Sequence, residues 1–103
     1  MFKNSELDAD KFFPEVIQVV PSNNYEIFVY FNDGSIRLYD MKNYIKEGTV
    51  FETLKDVKIF KDRICIENST VAWDLDDIGI VDLDPFVLFD SEKISEDVVL
   101  KSI

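Results

Sequence analysis

Histidine is absent from this 103-residue sequence, and cysteine occurs once. The first absence removes the commonest general base, the commonest metal ligand and every Ser-His or Cys-His nucleophile arrangement. One cysteine and no histidine leave no donor set for a structural zinc site within the chain. Cys65 also has no internal disulfide partner. The three glycines, Gly34, Gly48 and Gly79, are too scattered to build a phosphate-cradling loop. No apolar run approaches the roughly 18–20 residues that a bilayer span requires. Positive charge is scarce as well: 11 Lys and Arg stand against 21 Asp and Glu, a net charge of −10. Such a field repels phosphate, which argues against nucleic acid and anionic membranes as partners. An enzyme would have carboxylates alone to work with, and a chain of this length offers little room for the cleft that paired carboxylates need. The expectation is a non-enzymatic protein with no cofactor and no metal site.

Apolar residues make up 47% of the chain, enough for one packed core, and the length suits one domain. The acids are unevenly spread. Residues 1–35 hold six acids and two bases, residues 36–67 six and seven, and residues 68–103 nine and two. The three parts thus carry −4, +1 and −7. The acidic last third would attract a basic partner, although surplus acid also serves simply to keep a protein soluble. The opening M-F-K-N-S-E-L-D-A-D lacks the basic and then apolar order of a signal peptide. With the single thiol, this leads to a cytoplasmic expectation.

Residues 1–13 read as a loosely docked arm and 14–90 as the folded domain. Pro14 and Pro21 bracket a short strand suited to a sheet edge. Tyr25 to Asp40 contains two alternating runs around Asn32-Asp33-Gly34-Ser35, a hairpin signal. With Asp33-Gly34 as a two-residue loop, Phe31 would face Ile36, Val29 would face Leu38 and Ile27 would face Asp40. One face would then hold Ile27, Val29, Phe31, Ile36 and Leu38, and the other Phe28, Tyr30, Arg37 and Tyr39. Met41, Tyr44 and Ile45 fall at helical spacing before Gly48, and Thr49-x-x-Glu52 has the form of a capping box. Val57–Phe60, Arg63–Glu67 and Thr70–Trp73 alternate with period two. They predict a meander in which Ile59 faces Ile64, Val57 faces Ile66, Ile66 faces Val71 and Ile64 faces Trp73. Asp84-Pro85 can open a short helix, and 91–103 reads as a tail or marginal helix. The predicted fold is α+β: an antiparallel sheet of five or six short strands in two meander groups, with short helices packed on one face.

This order of features resembles a family known as domain of unknown function 2442. The likeness rests on Pro14-Glu15-Val16, the stretch from Tyr25 through F-N-D-G to Tyr39-Asp40, and Gly48-Thr49-Val50-Phe51 with Leu54. Val71-Ala72-Trp73 and Asp82-Leu83-Asp84-Pro85 before Leu88 continue it, so that it spans roughly residues 14 to 89. Asp74–Val81 is longer than the usual link and looks like a local elaboration. The resemblance implies a small α+β domain without established catalytic residues, of which some are suspected to act beside a small partner in toxin–antitoxin-like pairs. It supplies no functional residue.

Two groups of residues stand out as candidates. Asp74, Asp76, Asp77 and Asp82 crowd one segment. Against a calcium-loop template, Asp74, Asp76, Gly79 and Asp82 fit, but Ile78 and Pro85 stand where oxygen ligands are needed. A solvated acidic loop competes here with an irregular calcium or magnesium site. The second group, Tyr30, Arg37 and Tyr39 beside Phe28, is either covered by the helical pieces around Tyr44 and Phe51 or free to anchor a protein interface. The expected function is an interaction module that takes a basic protein through the acidic last third, antitoxin-like in its sharpest form. A small-ligand pocket between sheet and helices, and an acidic mimic of nucleic acid, are the alternatives.

Overall fold

The computed structural model describes residues 12–102. Among these residues seven strands form two antiparallel sheets, joined by short helices. The first sheet has the order β1-β2-β3-β7, from β1 (Val16–Pro21), β2 (Glu26–Phe31), β3 (Ile36–Asp40) and β7 (Glu92–Ile94). The second has the order β4-β5-β6, from β4 (Ile64–Glu67), β5 (Thr70–Leu75) and β6 (Gly79–Asp82). The fold class is α+β as predicted, with the two meander groups standing as separate sheets.

The β2–β3 hairpin keeps its predicted place but not its register. Tyr30 pairs with Ile36, Val29 with Arg37, Phe28 with Leu38 and Ile27 with Tyr39. A two-residue primed turn needs positive φ at its first loop position, and at both for type I′, and of Asp33 and Gly34 only Gly34 has it, at +88°. Asp33 instead bends the chain from its side chain, its Oδ1 accepting from the Ser35 N–H at 2.9 Å and Oγ at 2.6 Å. The Gly34 N–H donates to Phe31 O and the Phe31 N–H to Ser35 O, so the loop has three residues with Gly34 as its bulge. A one-residue slip exchanges every side chain between faces. Ile27, Val29 and Phe31 therefore share a face with Arg37 and Tyr39, while Phe28 and Tyr30 join Ile36 and Leu38 on the other.

Both faces are covered. Ile27, Val29 and Phe31 pack with Val71, Trp73 and Leu75 of β5 in the main core, together with Met41, Leu54, Phe60 and Leu88. Phe28 and Ile36 pack under Val99, with Tyr30, Leu38 and Ile94 alongside. Val99 belongs to a helix spanning Glu96–Ser102. Of residues 91–103, expected as a tail or marginal helix, those up to Ser102 contribute a fourth strand to the first sheet and this cover to its second face. Of the expected arm 1–13, residues 1–11 lie outside the described residues; the Phe12 ring lies 5.4 Å from that of Phe89.

Two local expectations are corrected. Val57–Asp62 is an α-helix, α1, and not the first strand of the second meander. Six residues carry too little periodicity to separate the two states, and Asp56 decides it by capping the Lys58 N–H at 3.0 Å. The buried indole of Trp73 then donates from Nε1 to Phe60 O at 2.9 Å, tying α1 to β5. Met41–Gly48 forms turns and no helix, and Glu52–Lys55 is one turn of 3-10 helix. Glu52 Oε1 accepts from the Gly48 N–H, one residue before the position a capping box would give. The second helix, α2 (Pro85–Phe89), has Asp84 as N-cap and Pro85 at its start, as the sequence suggests. The helix over Val99 is α3.

Candidate functional site

The second sheet turns one face to the core; the other, its solvent face, carries exposed Glu67, Asp74, Ile80 and Asp82 around buried Thr70 and Ala72. Asn68 and Ser69 both take positive φ, 50° and 66°, the requirement of a two-residue type I′ turn. They fix Ile64 opposite Trp73 and Ile66 opposite Val71, the predicted register. The alternation continues beyond Trp73, where a loop was expected. Asp74 lies in β5 opposite Ile80, and Asp82 lies in β6 opposite Ala72. With Val71, Trp73 and Leu75 inward, Asp74, Ile80 and Asp82 share the solvent face with Cys65 and Glu67. Ala72 sits fully covered between them. Burial, then Glu67 and Asp74, push the Cys65 thiol up from its ordinary value, which keeps it in its less nucleophilic form.

Asp76 and Asp77 form the hairpin tip with Ile78, whose N–H donates to Leu75 O at 2.6 Å. Arg63, at the end of α1, holds Asp76 in a fork: Nη1 to Oδ1 at 2.9 Å and Nη2 to Oδ2 at 2.6 Å. The hydrogen bonds and charge of this pair hold the Asp76 carboxyl below the usual range and raise the guanidinium. Nη1 also donates to Asp74 O at 3.2 Å. The tip, with Thr53 and Ile59 opposite, borders a concavity of about 260 Å³ lined by Asp74, Asp77 and Ile78 among others. The four aspartates do not converge on a point: Asp74 and Asp82 stand on the sheet face, and at the tip Asp76 pairs with Arg63 while Asp77 has no ion pair among the described residues. No metal-binding group of three or more carboxylates or thiols occurs among the described residues.

The register separates Tyr30 from Arg37 and Tyr39, which share the opposite face. Tyr30 Oη donates to Glu96 Oε2 at 2.7 Å, which pins the start of α3. Burial and that carboxylate push its pKa up to about 12. Arg37 lies 4.4 Å above the Phe89 ring and donates to Ser91 O at 3.1 Å. Tyr39 stacks on Tyr44 at 5.7 Å, and burial followed by Tyr44 raises its pKa. All three side chains join parts of this chain to one another.

Sequence reasoning missed Glu67, Ile80 and Arg63 as neighbours of the aspartates. The signal was present in the unbroken alternation of T-V-A-W-D-L and G-I-V-D around the D-D-I turn. A family model described as Protein of unknown function (DUF2442) matches residues 16–93. No curated protein and no solved structure matches the chain.

Proposed function

The chain belongs to the DUF2442 family of proteins of unknown function, and we propose that it is a non-enzymatic module that binds a basic protein partner. The contact is the solvent face of β4-β5-β6 with its hairpin tip. One observation carries this reading: Glu67, Asp74 and Asp82 stand on the same face as half-exposed Ile80, next to Asp77 and Ile78 at the tip. Carboxylates around exposed isoleucines suit a partner surface that combines Lys or Arg with apolar side chains. Neutralisation of a basic toxin-like protein is the sharpest form of the proposal. A small-molecule site is less well supported. The tip concavity of about 260 Å³ is small, and two larger ones, about 380 and 340 Å³, are lined mainly by polar and charged residues such as Asp33, Lys93, Glu96, Lys61 and Asp62. Ligand pockets are predominantly apolar.

The test retrieves partners from lysate of the protein's own source at low salt, identifies them by mass, and repeats the binding with purified components. The variant replaces Asp74, Asp77 and Asp82 with Asn and leaves Asp76 to Arg63. Three exposed pairs at ~0.5 kcal/mol each predict about tenfold weaker binding. Equal binding by the variant would remove the acidic face as the contact.

A further inference from the structure

The second sheet ends in a strand whose outer side is unoccupied among the described residues. In the β5–β6 ladder the Leu83 N–H donates to Val71 O at 3.0 Å. The hydrogen-bonded pairs alternate in an antiparallel ladder, so Trp73–Val81 and Leu75–Gly79 continue the set. Ile80 and Asp82 fall between them and turn their N–H and C=O groups away from β5. Among the described residues no strand flanks β6 on that side. The other edges are blunted. β4 lies near β1, where the Val16 N–H donates to Ser69 O. β1 itself carries Pro21 and a register break between Val16 and Gln18, and β7 has three residues. β6 has neither proline nor bulge, and Ile80 is 54% exposed.

Resting on the proposed function, we infer that β6 accepts an extended segment of the basic partner as a fourth strand of the sheet, with a basic side chain beside Asp82 and an apolar one beside Ile80. Such strand addition draws affinity from main-chain bonds and selectivity from alternate side chains. Ile80 and Asp82 are two residues apart and share a face, so the matching segment, added antiparallel, reads basic, any, apolar. The charge decides against a second copy of this chain. Opposed aspartates on paired edges repel, and each molecule carries −10.

The probe is an eight-residue peptide with arginine and valine alternating on one face and threonine on the other. Saturation should slow amide exchange at Ile80 and Asp82 by roughly tenfold or more, while Val81, already in the ladder, changes little. Ile80→Pro removes an outward N–H and leaves the β5 ladder intact, so it should weaken the peptide at least about tenfold, the equivalent of a lost hydrogen bond. A peptide N-methylated at alternate backbone positions tests the same bonds without altering the protein. Peptide binding with unchanged exchange at Ile80 and Asp82, equal affinity of the N-methylated peptide, or no binding would each overturn strand addition. The triple Asn variant keeps the two readings apart. Binding that it loses without amide protection in the wild type leaves the acidic face and removes the strand; binding that it retains with protection does the reverse.

Discussion

Trp73 has no exposed surface, and its indole N–H reaches the Phe60 carbonyl across the core. Trp73→Phe keeps an aromatic ring but leaves that carbonyl without its buried donor. The expected loss is about 1–3 kcal/mol in urea unfolding, with the fold retained. Arg63 and Asp76 act at the surface, and their effect is read by titration. The folded-state pKa of Asp76 is depressed, so its favourable pairing is present above the ordinary carboxylate range and is lost as pH falls through the depressed value. Arg63→Gln should return Asp76 to the ordinary range in a carboxyl-carbon NMR titration. An unchanged Asp76 titration would show that the fork does not govern it.

The elements take their form from a few backbone decisions. Gly34→Ala places a Cβ at φ +88°, where nothing within 4 Å crowds it, so the cost is conformational and near 1–2 kcal/mol. Thermal unfolding would measure it. At α3, Val99→Asp puts a carboxylate against Phe28 and Ile36. Amide exchange should quicken in α3 and β7 before it changes in β4-β5-β6; uniform acceleration would instead make α3 part of one cooperative unit with the second sheet. The same elements show what could be read from the chain. The β4–β5 register was legible because Asn68-Ser69 permits one turn and every apolar side chain agrees with it. The β2–β3 register was not, because Asp33-Gly34 serves a two-residue or a three-residue loop, and the choice depends on φ at Asp33. V-K-I-F-K-D alternates like a strand, and only the Asp56 cap and the Trp73 bond make it a helix. Asp74 and Asp82 were legible as candidates. Their position on one sheet face was not, because two acids and Gly79 disguised a hairpin as a loop.

For the whole molecule, charge is unevenly spread along the chain. The last third carries −7, and four of its nine acids, Asp74, Asp76, Asp77 and Asp82, fall in the β5–β6 hairpin at the edge of the three-stranded sheet. Tyr30, Arg37 and Tyr39, the second group of candidates, hold the first sheet to its own surroundings. Attraction between exposed charges is screened over about 8 Å at physiological salt, so capture of a basic partner should weaken steeply as salt rises. The decisive measurement is the affinity of the purified lysate partner for the wild type and for the Asp74, Asp77 and Asp82 to Asn variant, each across a salt series. The partner should be a basic protein, bound about tenfold less tightly by the variant and with a flatter salt dependence. A partner held equally by both, or a wild-type chain recovered alone at 12.0 kDa, would contradict this expectation.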